Sequence, residues 1–447
     1  MKYQVRWMVP FLLCLATPAF AQVSTQDVPI PAAAARGVFA QAQSICDADD
    51  GLLWGASLCG PIMLVDPKTR RIVASQADAE GVLRELDGVF VGQLPQEATA
   101  ANTAVEWSGT RWTQMLWPLP EGDGKRGTLI AHEMFHRLQP DLPIAEAKGG
   151  ENPHLDTLEG RYLLQLEWRA LAKALQAGTR AARQAAIADA LAFRAERYRL
   201  FPDAMTDEAA LETNEGLAEY TGVMLGSPTQ DARLQTALHD LETHVGDPSF
   251  VRSFAYATGP AYGMLLDQFD PGWRKRLGDE TRDLGTRLRD ATRFKDAAGV
   301  TPLTAAAARY DGAALRETET AREEKRLAQL QRNRARFVEG PVLKLDLIHM
   351  RIQFNPSNLQ PLDGIGTVYP TLRVTDDWGT LEVEDGAVMS SDWKVVILAA
   401  PDASEPSRGP GWKLALNPGW TLAPGVRSGD YVLKGPGSRG KERSPTR

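Results

Sequence analysis

Basic charge in excess, cysteine, histidine and long apolar runs are all scarce in this chain of 447 residues, and each scarcity excludes something. Fifty Lys and Arg stand against 57 Asp and Glu, a formal charge of -7. No basic field is available to attract a phosphate backbone, so nucleic acid is not an expected partner. Three cysteines are too few for a disulfide-built scaffold. Beyond the first 20 residues no run approaches the roughly 20 apolar residues of a membrane span. Internal repeats are absent. What is present is ordinary globular composition, 43% hydrophobic and 24% charged, enough for a sizeable core and two or three domains. Only six histidines occur, few enough to weigh singly.

The first segment reads as an address. Lys2 and Arg6 precede an apolar run from Trp7 to Ala16, and Ala19-Phe20-Ala21 has the small residues of a signal-peptidase site. Residues 1–21 are thus expected to be a signal peptide cleaved after Ala21, and the mature chain to be secreted or periplasmic. Leu13 before Cys14 argues against a lipoprotein anchor. The remaining Cys46 and Cys59 enclose a short loop in an exported chain. A disulfide is expected, worth about 3 kcal/mol by loop entropy; two buried thiols are the alternative.

Texture divides the rest of the chain. Residues 22–126 read as a mixed α/β part. It begins with an extended arm and one short helix over 22–45, followed by a hairpin from Ile62–Val65 to Arg71–Ala74. A short helix is expected at Asp78–Leu86, a strand at Val89–Leu94 and a longer strand at Thr103–Trp117. Residues 127–337 are helical, broken at Gly and Pro, with a solvated charged helix over Glu317–Arg336. Residues 338–434 carry β-rich runs, Val342–Phe354, Thr367–Val374, Gly379–Val383, Trp393–Ala399 and Trp412–Leu416, and suggest a β-sandwich. Residues 435–447 form a polar tail expected to be disordered. The fold class is α+β.

The most specific residues are His132-Glu133-Met134-Phe135-His136, an HExxH motif in a helical run. Histidines at i and i+4 share one helical face about one turn apart, so both imidazoles can reach a single metal ion. Glu133 follows the first of them, where its carboxylate can take a proton from water. Chance alone produces such a motif in a chain of this composition on the order of 0.5% of the time. Gln139 and Leu142 stand where a metzincin would continue with Gly and a third His, so that subclass is excluded.

Two histidines leave zinc one protein ligand short. Asn214-Glu215-Gly216-Leu217-Ala218 resembles the Asn-Glu-Gly-Phe-Ala stretch of HExxH aminopeptidases and related gluzincins. That resemblance implies Glu215 as the third ligand and Glu219, one turn later, as the acceptor for a ligand histidine's other ring N–H. It also implies a zincin-like catalytic part and an oxyanion donor in a Tyr-x-x-Gly motif. Tyr256-Ala-Thr-Gly259 supplies one, with Tyr262 as second choice. The spacing departs from the family. Its glutamate usually follows by about 20 residues, whereas 78 residues separate His136 from Glu215. Glu159 lies near the usual distance and is the rival; Glu215 is preferred because its flanks match over five positions. The intervening Thr157–Ala177 and Arg180–Leu200 then form an inserted helical pair, with Glu159 and Glu167 either facing the cleft or lying on its surface.

Thr103–Trp117 stands where zincins place the edge strand of the cleft, and Trp107, Trp112 and Trp117 either line pockets or simply pack. The Gly-x-Met-Glu-Asn motif of the aminopeptidases is absent, so exopeptidase activity does not follow. His154, His239, His244 and His349 are given no role. The resulting expectation is an exported Zn²⁺ metallopeptidase acting on a peptide or protein substrate. The alternative is a non-catalytic envelope binding protein that uses a zincin-like scaffold and its C-terminal β domain.

Overall fold

The computed structural model describes residues 30–95, 98–145, 149–150, 152–278, 283–293, 302–354, 359–362 and 364–436. The signal segment, its cleavage site and residues 437–447 of the polar tail lie outside the described residues. The chain is mixed α+β and divides into two compact units, one ending at Leu138 and one beginning at Gln139. Among the described residues no helix is long and apolar enough to cross a membrane.

Among its described residues the first unit packs two helices and a six-stranded sheet. Helix α1 (Ala32–Asp49) is longer than the short helix expected within 22–45, because Ala35, Val38, Ala42 and Cys46 recur at helical spacing and all are buried. In the sheet the strands run in the order Arg84–Leu86, Val89–Gln93, Arg71–Ala74, Ile62–Val65, Thr110–Leu116, Thr103–Trp107. The expected hairpin is present, with Leu64 opposite Val73. Two expectations fail here. Asp78–Leu86 is no helix: the Asp78 carboxylate accepts from the backbone N–H groups of Glu80, Val82 and Leu83, which holds a turn before the strand Arg84–Leu86. The single strand expected over Thr103–Trp117 is two, reversed at Ser108 and Gly109, whose φ angles of 49° and 67° make the left-handed turn that suits a hairpin. Thr103–Trp107 is one of the two edge strands of this sheet, Arg84–Leu86 the other, and Trp112 is a core residue at 0% exposure rather than a pocket wall. Against this hairpin packs α2 (Asp123–Leu138), which carries the HExxH motif.

Helices dominate the first part of the second unit. The expected helical pair is present as α3 (Leu158–Gln176) and α4 (Arg180–Leu200), started by Thr157 and Thr179, whose hydroxyls accept from the Gly160 and Ala182 N–H groups. There follow α5 (Ala204–Leu211), a wide π turn over Glu212–Gly216, α6 (Leu217–Gly226), α7 (Gln230–Thr243), α8 (Ser253–Phe269), α9 (Leu284–Thr292) and α10 (Leu303–Ala308). The charged α11 (Gly312–Arg334) is mostly exposed, though Leu315 and Glu319 are buried.

The C-terminal β-sandwich is present. One sheet has the order Thr421–Pro424, Tyr431–Lys434, Val342–Asp346, Val395–Ala399, Ala387–Ser390, Gly366–Tyr369, Gln360–Leu362. The other runs Arg408–Gly409, Trp412–Leu416, Gly379–Val383, Leu372–Asp376, Arg351–Phe354. Leu372–Asp376 alternates buried and exposed residues, as a half-buried strand must. Leu343, Leu345, Val374, Trp378, Leu381, Leu398, Trp412 and Leu414 fill the core. His349, expected inside a strand, lies between two of them and bonds Asp377.

Candidate metal centre

Helix α2 buries Ile130, Ala131, Met134, Phe135 and Leu138 together with His132 and Glu133. The i, i+4 spacing places the Nε2 atoms of His132 and His136 3.1 Å apart. Two nitrogens bound to one tetrahedral zinc at about 2.05 Å would lie about 3.3 Å apart, so the pair is already close to the separation a shared ion requires.

Glu215 belongs to the π turn between α5 and α6. Such a turn inserts one extra residue per hydrogen-bonded loop and so turns a side chain away from the face that a regular helix would give it. The turn is packed against α8 through two glycines. A Cβ on Gly259 would lie 2.1 Å from the Gly216 carbonyl oxygen and 2.5 Å from the Gly216 Cα, a contact only glycine permits. Backbone approach at that point brings Tyr256, one turn before Gly259, onto Glu215: its hydroxyl donates to Oε2 at 2.7 Å. The glycines of the Asn-Glu-Gly and Tyr-x-x-Gly motifs thus have a common packing purpose. Arg252 adds a longer bond to Glu215 Oε1 at 3.3 Å. Burial first, then the charge of Glu215, push the Tyr256 hydroxyl far above its ordinary range, so it remains a donor near neutral pH.

Ligand atoms of His132, His136 and Glu215 lie within 4.8 Å of one another, a donor set of two imidazoles and a carboxylate able to hold a metal ion. The structure separates the rival from this set. Glu159 is paired with Arg316 of α11. Glu219 lies one turn beyond Glu215 on α6 and is half-buried. Its charge and, more strongly, burial raise Asp240 of α7 to about 8.

Tyr262 and Glu167 have a different place. Tyr262 is 0% exposed and donates to Glu167 Oε1 at 2.6 Å, which removes it as second choice for the oxyanion donor. Glu167 neither faces a cleft nor lies on the surface; it accepts from Arg194 and Arg197 in a buried network. Arg194 also reaches Glu212 and Asp283, and Arg197 is paired with Glu208, which in turn holds His154 at 2.8 Å. Burial pushes Glu212 up to about 6 against the pull of Arg194. For Glu208 burial works upward too, but the charge and hydrogen bonds of Arg197 outweigh it and hold the carboxyl well below its usual range.

Two residues given no role in the sequence, Arg252 and His244, also lie beside Glu215 and Tyr256. Arg252 precedes Tyr256 by four residues and so shares its face at the start of α8, a spacing that was there to be read. His244, held by Asp247 at 2.7 Å, has its ring 6.2 Å from that of Tyr256; nothing local announces this. His239 lies on the exposed side of α7. Comparison with protein-family models, with curated proteins and with solved structures finds no match for this chain.

Proposed function

We propose that this chain is an exported zinc metallopeptidase of gluzincin type. The carrying observation is that ligand atoms of His132, His136 and Glu215 lie within 4.8 Å of one another, with Glu133 next to His132 in the chain. The donor set fits zinc: two imidazole nitrogens at nearly tetrahedral spacing and one carboxylate are the set that leaves a fourth position for substrate chemistry. Magnesium and calcium prefer sets made of oxygen, which two imidazoles disfavour.

Zinc bound there would supply Lewis acidity, toward water and toward a peptide carbonyl, near neutral pH. Glu133 takes the proton of the attacking water and returns it to the departing amine, so one carboxylate serves first as base and then as acid. Tyr256 holds its proton on a hydroxyl aimed at Glu215 and turns that donor toward the oxyanion as charge develops. Glu219 accepts a ring N–H of a ligand histidine and so keeps the opposite nitrogen as the donor.

The test is Glu133→Gln. The variant should bind about one zinc per chain, as the parent does, while hydrolysis of casein or a peptide library falls by at least about 100-fold. Hydrolysis at the parent rate would refute the mechanism. Absence of zinc from parent protein prepared without chelator would refute the metal assignment, and would favour the binding-protein alternative.

A further inference from the structure

Within the first unit, α2 is gripped at both ends by a single neighbouring piece of chain. At its first turn, Gln41 of α1 donates to the Asp123 carbonyl and accepts from Arg126 Nε. At its last turn, the Trp54 ring lies 5.0 Å from that of Phe135, and Arg137 Nη2 donates to the carbonyls of Leu58 at 2.9 Å and Cys59 at 2.8 Å. Trp54, Leu58 and Cys59 all belong to the loop that follows α1, and the Cys46–Cys59 disulfide closes that loop. No strand ladder holds residues 50–61, and Leu52 within them is 83% exposed. The cross-link thus joins the buried Leu58 side chain and the bond from Thr113 N–H to the Pro61 carbonyl in restraining where the two carbonyls sit. Gly60 shows how closely the parts fit: a Cβ there would lie 2.3 Å from Arg137 Cζ.

The residues gripped at that end, Phe135 and Arg137, flank His136. A side-chain atom roughly 5–6 Å from a helix axis moves about 2 Å when its turn rotates by about 20°. Metal–ligand distances tolerate only about 0.2 Å, so a small loss of anchorage at the last turn of α2 removes His136 from bonding range.

We infer that the disulfide-closed loop is a positioning element of the metal site, Arg137 being its point of attachment, and that tight metal binding is conditional on the Cys46–Cys59 bond. In forming it by exchange, the two thiols pass two electrons and two protons to an acceptor disulfide, which leaves as a dithiol while the new S–S bond forms. A reduced chain would then hold metal weakly and an oxidised one tightly. The inference rests on the metal reading above, whose failure is distinguishable.

Zinc affinity of the mature chain is measured by competition with a chromogenic chelator, beside far-ultraviolet circular dichroism. Two variants open the clamp by different routes: the double variant C46S/C59S, which also avoids leaving two thiols beside Asp47 as a second metal-binding group, and Gly60→Ala, which keeps the disulfide but displaces the Arg137 guanidinium. Each should keep one zinc per chain and the helical signal while Kd rises about 10- to 100-fold; exposed Leu52→Ser should change nothing. Wild-type affinity, within twofold, in a C46S/C59S variant that keeps its helical signal overturns the inference. If C46S/C59S loses its helical signal, Gly60→Ala alone decides. If the parent chain binds no zinc at all, it is the metal reading that has failed.

Discussion

Replacing Arg194 by Met tests the electrostatic core that holds the glutamate turn. The guanidinium is buried on α4 and donates to Glu167 at 2.8 Å, to Asp283 at 2.9 Å and to Glu212 at 2.5 Å, all three carboxylates being 1% exposed or less. Methionine fills much of the same volume and leaves Glu167 its pair with Arg197 while Glu212 and Asp283 lose their Arg194 partner. Removing one side of a buried ion pair typically costs about 3–5 kcal/mol. A second route sets a ceiling on the cost per group. At pH 7 an unpaired carboxyl with an ordinary value of 4.5 can escape by taking a proton, for about 3.4 kcal/mol. At pH 5 the same escape costs about 0.7 kcal/mol. Loss of stability should therefore be about 3–5 kcal/mol at pH 7 and clearly smaller at pH 5. Urea unfolding followed by the helical signal measures both. Because Glu212 opens the π turn that presents Glu215, the variant should also bind zinc more weakly at pH 7. A destabilisation below about 1 kcal/mol, or one that does not change with pH, would refute the argument that these charges hold the turn in place.

The other predictions concern single contacts. Tyr256→Phe removes the donor but not the ring and should keep zinc while kcat falls about 100-fold, with KM little changed, in a steady-state assay. Gly259→Ala forces a methyl group onto the Gly216 carbonyl; it should cost about 1–3 kcal/mol in urea unfolding and loosen zinc binding, since it moves α8 from the glutamate turn. Glu159→Ala should leave zinc content unchanged by elemental analysis, because Glu159 is spent on Arg316. For Asp240 the sign follows from a folded-state value raised from 3.8 to about 8. Burial of its charge costs nothing below pH 4 and progressively more as pH rises to 8. Asp240→Asn should accordingly match the parent near pH 4 and exceed it in Tm by several degrees at pH 8 and above; an equal gain at both values would count against that account.

The parts of this protein legible in its sequence are those whose cause is local. HExxH spacing places two imidazoles on one face whatever surrounds the helix, and the close approach of the Nε2 atoms of His132 and His136 follows from that periodicity. The helical pair is legible in an Ala-, Leu-, Arg- and Glu-rich texture broken at Gly and Pro, and the sandwich in β-rich runs separated by turn residues. Errors arose where a side chain or a turn redirects the backbone. Asp78 satisfies three N–H groups that a helix would have used, and Ser108-Gly109 folds one expected strand into a hairpin.

The third ligand is a different case. Distance along the chain favoured Glu159 and flanking residues favoured Glu215; neither argument contains the physical reason. What distinguishes the two in the structure is the packing of Gly216 on Gly259, which brings Tyr256 to Glu215, and the Arg316 guanidinium that pairs with Glu159. Tyr262 and Glu167 likewise look like exposed candidates in one dimension and are buried partners in three. By itself the sequence determined the residue types, their helical or alternating periods and the chemistry two histidines and a glutamate can perform. Only the tertiary structure showed which distant groups are already paired, Tyr256 with Glu215 and Arg316 with Glu159, because that depends on where backbones approach closely and which charges are neutralised, and neither is a property of any local stretch of chain.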